Sequence, residues 1–128
     1  MTRYWLPLTY QPKIQGVLDG TIRQTIRGGW KYSPGDRVAF HGWTGLPYRS
    51  PWSFRTEYHT LVEVLYAIVQ DDGMTIISQL EPDFMATYPW DELDGMAIRD
   101  GIVPATGEGL RAVLQGMGCT GLAQVLRW

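Results

Sequence analysis

In "TIRQTIR", residues 21 to 27, a two-residue spacing puts Ile22 and Ile26 on one side and Arg23, Thr25 and Arg27 on the other. This two-residue period predicts a strand from Ile22 to Arg27 whose outer face is a row of donors about 7 Å apart. Ahead of it, "YWLPLTY" predicts a short edge strand, where Pro7 is tolerated. "PKIQGVLDG" switches to helical spacing, with Pro12 near the start, Ile14, Val17 and Leu18 on one side and Gly20 as a stop. After the strand, Gly28-Gly29 and "SPGD" bracket a loop, and "RVAFHGW" predicts a second strand.

The segment "TGLPYRSPWSFRT" is too rich in Gly, Pro and Ser to be regular, and long loops of this kind tend to carry function. "HTLVEVLYAIVQDDGMTIISQL" predicts a strand, an Asp-Gly turn and a second strand, forming a hairpin. "PWDELDGMAIRDG" and "GEGLRAVLQGMG" predict helices, and "GLAQVLRW" a closing strand. Several strands with two or three peripheral helices define an α+β domain built on a small β-barrel, one unit over residues 1–128.

Charge changes the picture more than composition does. Residues 1–55 hold eight of the eleven basic side chains against two acids, a formal +6, whereas residues 56–128 hold three against eleven, a formal −8. Nine of the eleven cations are Arg, the residue suited to bidentate contact with phosphates. The split predicts a basic face that meets an anion, unless the two halves interleave and neutralise each other. Six Trp and seven Tyr in 128 residues supply amphipathic rings to fill a small barrel or stack on a ligand.

Other chemistry is thinner. Cys119 is the single cysteine, which excludes a disulfide framework and a thiolate zinc site and fits a small apolar group. His41 and His59 lack metal-ligand spacing and read as structural histidines, so neither metal nor cofactor is expected. "GEGLRA" and "GMGCTG" imitate a dinucleotide fingerprint but lack the βαβ context. "MTRYWLPLTYQPK" lacks the apolar run of a signal peptide, and "LVEVLYAIV", broken by Glu63, is too short for a membrane span, so a cytoplasmic protein is expected.

The order of signals from "LDG" through "TIRQTIR" to "PGD" resembles the ASCH domains of the PUA-like superfamily. Their signature is a Gly, a Lys two residues later, a Thr three further on, then Arg and a Gly-Asp turn. "WTGLPYRS" is similar to the Gly-and-Arg loop of ASCH proteins from phage and bacterial genomes, "IRDGI" to their helix end and "QVLRW" to their last strand. The resemblance implies a PUA-like barrel. Some ASCH proteins are amidohydrolases of acetylated cytidine, using that Lys with the Thr and a Glu. Here the Lys position is Ile22, so Thr25 lacks its obvious activating base, and Arg cannot serve as one.

Recognition of RNA or a nucleotide-like ligand is therefore the first expectation. Arg23, Arg27 and Lys31 would meet phosphates beside Thr25, a base would stack near Trp43 and Tyr48, and Arg49, Ser50 and Arg55 would complete the site. Trp52 and Phe54 are assigned to packing. The alternative is an amidohydrolase or nuclease with Thr25 and Glu92 as catalytic residues, and a third class is a protein-interaction module using the aromatic loop as a hot spot.

Overall fold

The computed structural model describes residues 2–43, 53–77 and 85–128, with the backbone alone at Trp43. Among these residues two sheets and three α-helices make an α+β fold. Strand β1 (Arg3–Pro7) runs parallel to β3 (Arg37–Trp43), which also pairs with β4 (Ser53–Arg55) and the two-residue β5 (His59–Thr60). The larger sheet has the order β2 (Gln24–Gly28), β9 (Gly121–Arg127), β6 (Glu63–Val69), β7 (Gly73–Ile77), β8 (Met85–Pro89), all antiparallel. Among the described residues these strands form two separate sheets, and the expected closed barrel is not seen. Nor is any described helix long and apolar enough to cross a membrane.

Helix α1 (Gln11–Asp19) starts with proline in its first turn and stops at Gly20, whose φ of 82° is left-handed, as its sequence predicts. Ile14 and Val17 are buried, but Leu18 is exposed. The predicted helix over "PWDELDGMAIRDG" is split: a single 3-10 turn at Trp90–Glu92 precedes α2 (Asp94–Asp100). Helix α3 (Gly107–Gly116) is capped by Thr106, whose side chain accepts from the Gly109 amide at 3.0 Å. Two corrections concern strands: Ser53–Arg55, expected as loop, pairs with β3, and β8 had no counterpart among the predicted elements.

Both faces of the large sheet are covered. On one side Ile26, Ala67, Val125 and their neighbours pack under α2 and α3. On the other, Val64 and Leu126 pack against α1 and the inner face of the small sheet, including Leu6, Val38 and Phe40. Phe54 belongs to this second core, as its packing assignment requires. The fully buried Gln124 clamps the loop after β2, accepting from the Tyr32 amide and donating to the Tyr32 carbonyl, both at 2.8 Å. The result is that β2 is an edge strand held rigidly from behind, with α1 on one flank and the C-terminal ends of α2 and α3 on the other.

Candidate active site

A cavity of about 390 Å³ runs along the free edge of β2. Its walls are mainly apolar: Pro7 and Leu8 from the end of β1, Ile102, and Val113, Leu114 and Met117 from α3. Its floor is not. Lys13, Thr25, Arg27 and Asp100 meet there, and Thr25, Lys13 and Asp100 are only 2%, 5% and 4% exposed.

The contacts within this floor are directional. Lys13 Nζ donates to Thr25 Oγ1 at 3.1 Å and to Asp100 Oδ2 at 3.4 Å, and Arg27 Nε donates to Thr25 Oγ1 at 3.3 Å. Asp100 is held in turn by Gln24, whose Nε2 reaches Asp100 Oδ1 at 3.5 Å and the Met96 carbonyl at 3.2 Å. Gln24 Oε1 accepts from Arg127 Nε at 2.9 Å, and Arg127 is paired with Glu63 at the surface. A polar chain thus leads from solvent to the Thr25 hydroxyl, each member oriented by the next.

Burial sets the protonation of this group. It pushes the Lys13 ammonium below the ordinary lysine range; Asp100 opposes that, and Arg27 adds to it by repulsion. The Asp100 carboxyl is raised by burial, against the opposing effects of Lys13 and of the bond from Gln24. Both shifts narrow the wide gap that separates an amine from a carboxylic acid in water, so Lys13 holds its proton less tightly than a solvated lysine does. Burial also pushes the Cys119 thiol up, leaving it a protonated, apolar part of the wall rather than a nucleophile.

Lys13 stands where it does because two glycines let the backbone close in. Ile22 wedges between α1 and the end of α2: a Cβ on Gly16 would lie 2.3 Å from Ile22 Cγ1, and one on Gly101 would lie 2.9 Å from Lys13 Cβ and 3.2 Å from Ile22 Cδ1. Gly101 also caps α2 with a left-handed φ of 72°. Ile22 fills this seam with hydrocarbon, and Lys13 on α1 supplies the ammonium of the floor.

The expected site residues separate into groups. Thr25 and Arg27 share the cavity floor, but Arg23 does not. Its Nε donates to the Gly20 carbonyl at 3.0 Å, at the end of α1, and it lines a second hollow of about 300 Å³ with Arg99, Arg127 and Trp128. The row of three donors on one face is therefore broken before Thr25, because β2 begins only at Gln24. Lys31 is exposed and sits over the rings of Tyr4 and Tyr32, at 5.5 and 5.3 Å, away from the cavity. Arg55 lies over Trp5 on the outer face of the small sheet. Tyr48, Arg49, Ser50 and Trp52, and the side chain of Trp43, lie outside the described residues.

Glu92 is exposed on the 3-10 turn and does not line the cavity; the carboxylate beside Thr25 is Asp100. The charge halves interleave within this floor, where Lys13 and Arg27 from the basic half face Asp100 from the acidic half and Lys13 pairs with it. Comparison with protein-family models, with curated proteins and with solved structures finds no match.

Proposed function

We propose that the chain is a small amidohydrolase in which Thr25 is the nucleophile and Lys13 its general base. The observation that carries this is a hydroxyl gripped at 3.1 Å by a buried lysine whose ammonium is disfavoured. A site built only to hold anions would keep its lysine charged and solvated. A neutral Lys13 would reverse the bond, accepting the Thr25 proton as the oxygen attacks a carbonyl carbon, which is the logic of the Ser-Lys relatives of the catalytic triad. The Lys13 ammonium so formed, steadied by Asp100, would then protonate the leaving nitrogen as the C–N bond breaks. Water, activated by the same amine, would release the acid from the acyl-Thr25 ester.

The developing oxyanion has two donors at hand. Arg27 already points at Thr25 Oγ1. The backbone supplies the other: bonds from the Trp128 amide to the Arg23 carbonyl and from the Gly29 amide to the Leu122 carbonyl turn the odd-numbered residues of β2 toward β9. In an antiparallel ladder the alternate residue faces away, so the Ile26 N–H is directed to the free edge along which the cavity runs. The amide following the nucleophile is well placed to stabilise charge on the carbonyl oxygen.

Apolar walls over a polar floor suit a flat ring bearing an acyl group, and the volume matches small-molecule sites. Acylated nucleobases, the substrates implied by the ASCH resemblance, are of this type, and we take the two sheets as a PUA-like scaffold. Assay with N4-acetylcytidine and small acyl anilides tests the proposal. kcat/KM should rise with pH to a plateau, with a midpoint below the ordinary lysine range, as Lys13 loses its proton. Because Asp100 raises the Lys13 value, Asp100→Asn should move that midpoint to lower pH. A midpoint unmoved by Asp100→Asn contradicts Lys13 as the base.

A further inference from the structure

The outer face of the small sheet carries groups that the cavity does not use. Arg3 and Trp5 point away from the core on β1, with Trp5 49% exposed. Arg37 on β3 is the register partner of Arg3, and Arg55 on β4 is the partner of His41. The Trp5 ring meets Tyr58 edge-on at 5.3 Å and His41 at 6.4 Å, and Tyr58 is 37% exposed. Arg55 lies 5.9 Å from the Trp5 centroid, and Arg3 lies 5.6 Å from that of Tyr58. Among the described residues Arg3, Arg37 and Arg55 form no ion pair.

An exposed indole and phenol between guanidinium groups that form no ion pair among the described residues match one kind of partner closely. Neighbouring strands are about 5 Å apart and alternate residues on one strand about 7 Å apart, so cations and rings alternate at the spacing of phosphates and bases in an extended polynucleotide. We propose that this face binds single-stranded nucleic acid, with bases stacked on Trp5 and Tyr58 and phosphates held by Arg3, Arg37 and Arg55. A duplex keeps its bases stacked on one another and offers the rings nothing. Acidic peptides offer charge without flat rings, and an anionic bilayer offers no separate planar groups to the paired aromatics. Pro7, next in the outward row of β1, also lines the cavity, so a bound strand would pass its mouth.

The test is fluorescence anisotropy of labelled oligouridylate and oligodeoxythymidylate, single-stranded and annealed to a complement, titrated with the full chain. Single strands of either sugar should bind, more tightly than the duplexes, and the affinity should fall as salt rises. Trp5→Ala and Arg55→Ala should each weaken binding by about tenfold, and both side chains are exposed enough for the variants to keep the wild-type melting curve. Thr25→Ala should bind as the wild type does, and Trp5→Ala should hydrolyse small acyl substrates normally, which separates this proposal from the catalytic one. It is overturned by absence of binding at low salt, or by binding that both variants leave intact. Retention of phosphatidylserine vesicles or polyglutamate as tightly as the oligonucleotides overturns it equally.

Discussion

Thr25→Val is expected to abolish hydrolysis of N4-acetylcytidine and acyl anilides, with kcat/KM falling by about 10³-fold or more, since both the nucleophile and the group that Lys13 acts upon are lost. Valine keeps the shape of threonine in a site where Thr25 is 2% exposed, so the cavity survives without its hydroxyl. Thr25→Ser retains the oxygen and should keep measurable turnover, while Glu92→Gln, on an exposed turn outside the cavity, should leave the rate unchanged. Steady-state kinetics on the three variants decides the matter. Wild-type rates in Thr25→Val would remove the nucleophile from the scheme.

Lys13→Met is expected to destabilise the fold by about 3–5 kcal/mol, because it leaves the Asp100 carboxyl buried without its ion-pair partner. Adding Asp100→Leu should recover most of that loss, since two apolar groups need no compensation in the seam between α1 and α2, yet the double variant should be inactive. Urea unfolding at neutral pH measures both effects. The pH dependence follows from the shift directions. The folded Lys13 value lies below the unfolded one, so the unfolded chain binds more protons and stability rises with pH between the lowered value and the ordinary lysine value. Asp100 acts oppositely: its folded value is raised, the native state binds more protons, and stability falls as pH rises from the ordinary carboxylate value to the raised one. The double variant should lose both slopes. A Lys13→Met protein as stable as wild type would mean that the pair is not buried as described.

Much of the scaffold was legible. Pro12 and Gly20 bracket α1, "RVAFHGW" is β3 residue for residue, and the Asp-Gly turn joins β6 to β7 because each signal is local. The parallel pairing of β1 with β3 was not, since it depends on contacts more than thirty residues apart in the chain. Thr25 and Arg27 were found through the two-residue period of β2. Lys13 and Asp100 were missed because lysine and aspartate are read by default as surface residues. A signal was present in both cases. Tyr10, Lys13, Ile14 and Val17 follow the i, i+3, i+4, i+7 spacing of a buried stripe, and Leu93, Ala97 and Asp100 follow i, i+4, i+7 on α2. A charge seated on an apolar stripe is either satisfied by an opposite charge or functional, and here the two pair with each other between α1 and α2. Glu92 was preferred for its place at a helix start, but the chain forms a 3-10 turn there that leaves it in solvent.

The most direct test is mass spectrometry of the protein quenched with acid during turnover of an acetyl ester or anilide, followed by peptide mapping. One acetyl group on the peptide of β2, assigned to Thr25 and absent from Thr25→Val and Lys13→Met, is the predicted result. Turnover in progress with Thr25 unmodified, and with its rate unaffected by either substitution, would contradict it.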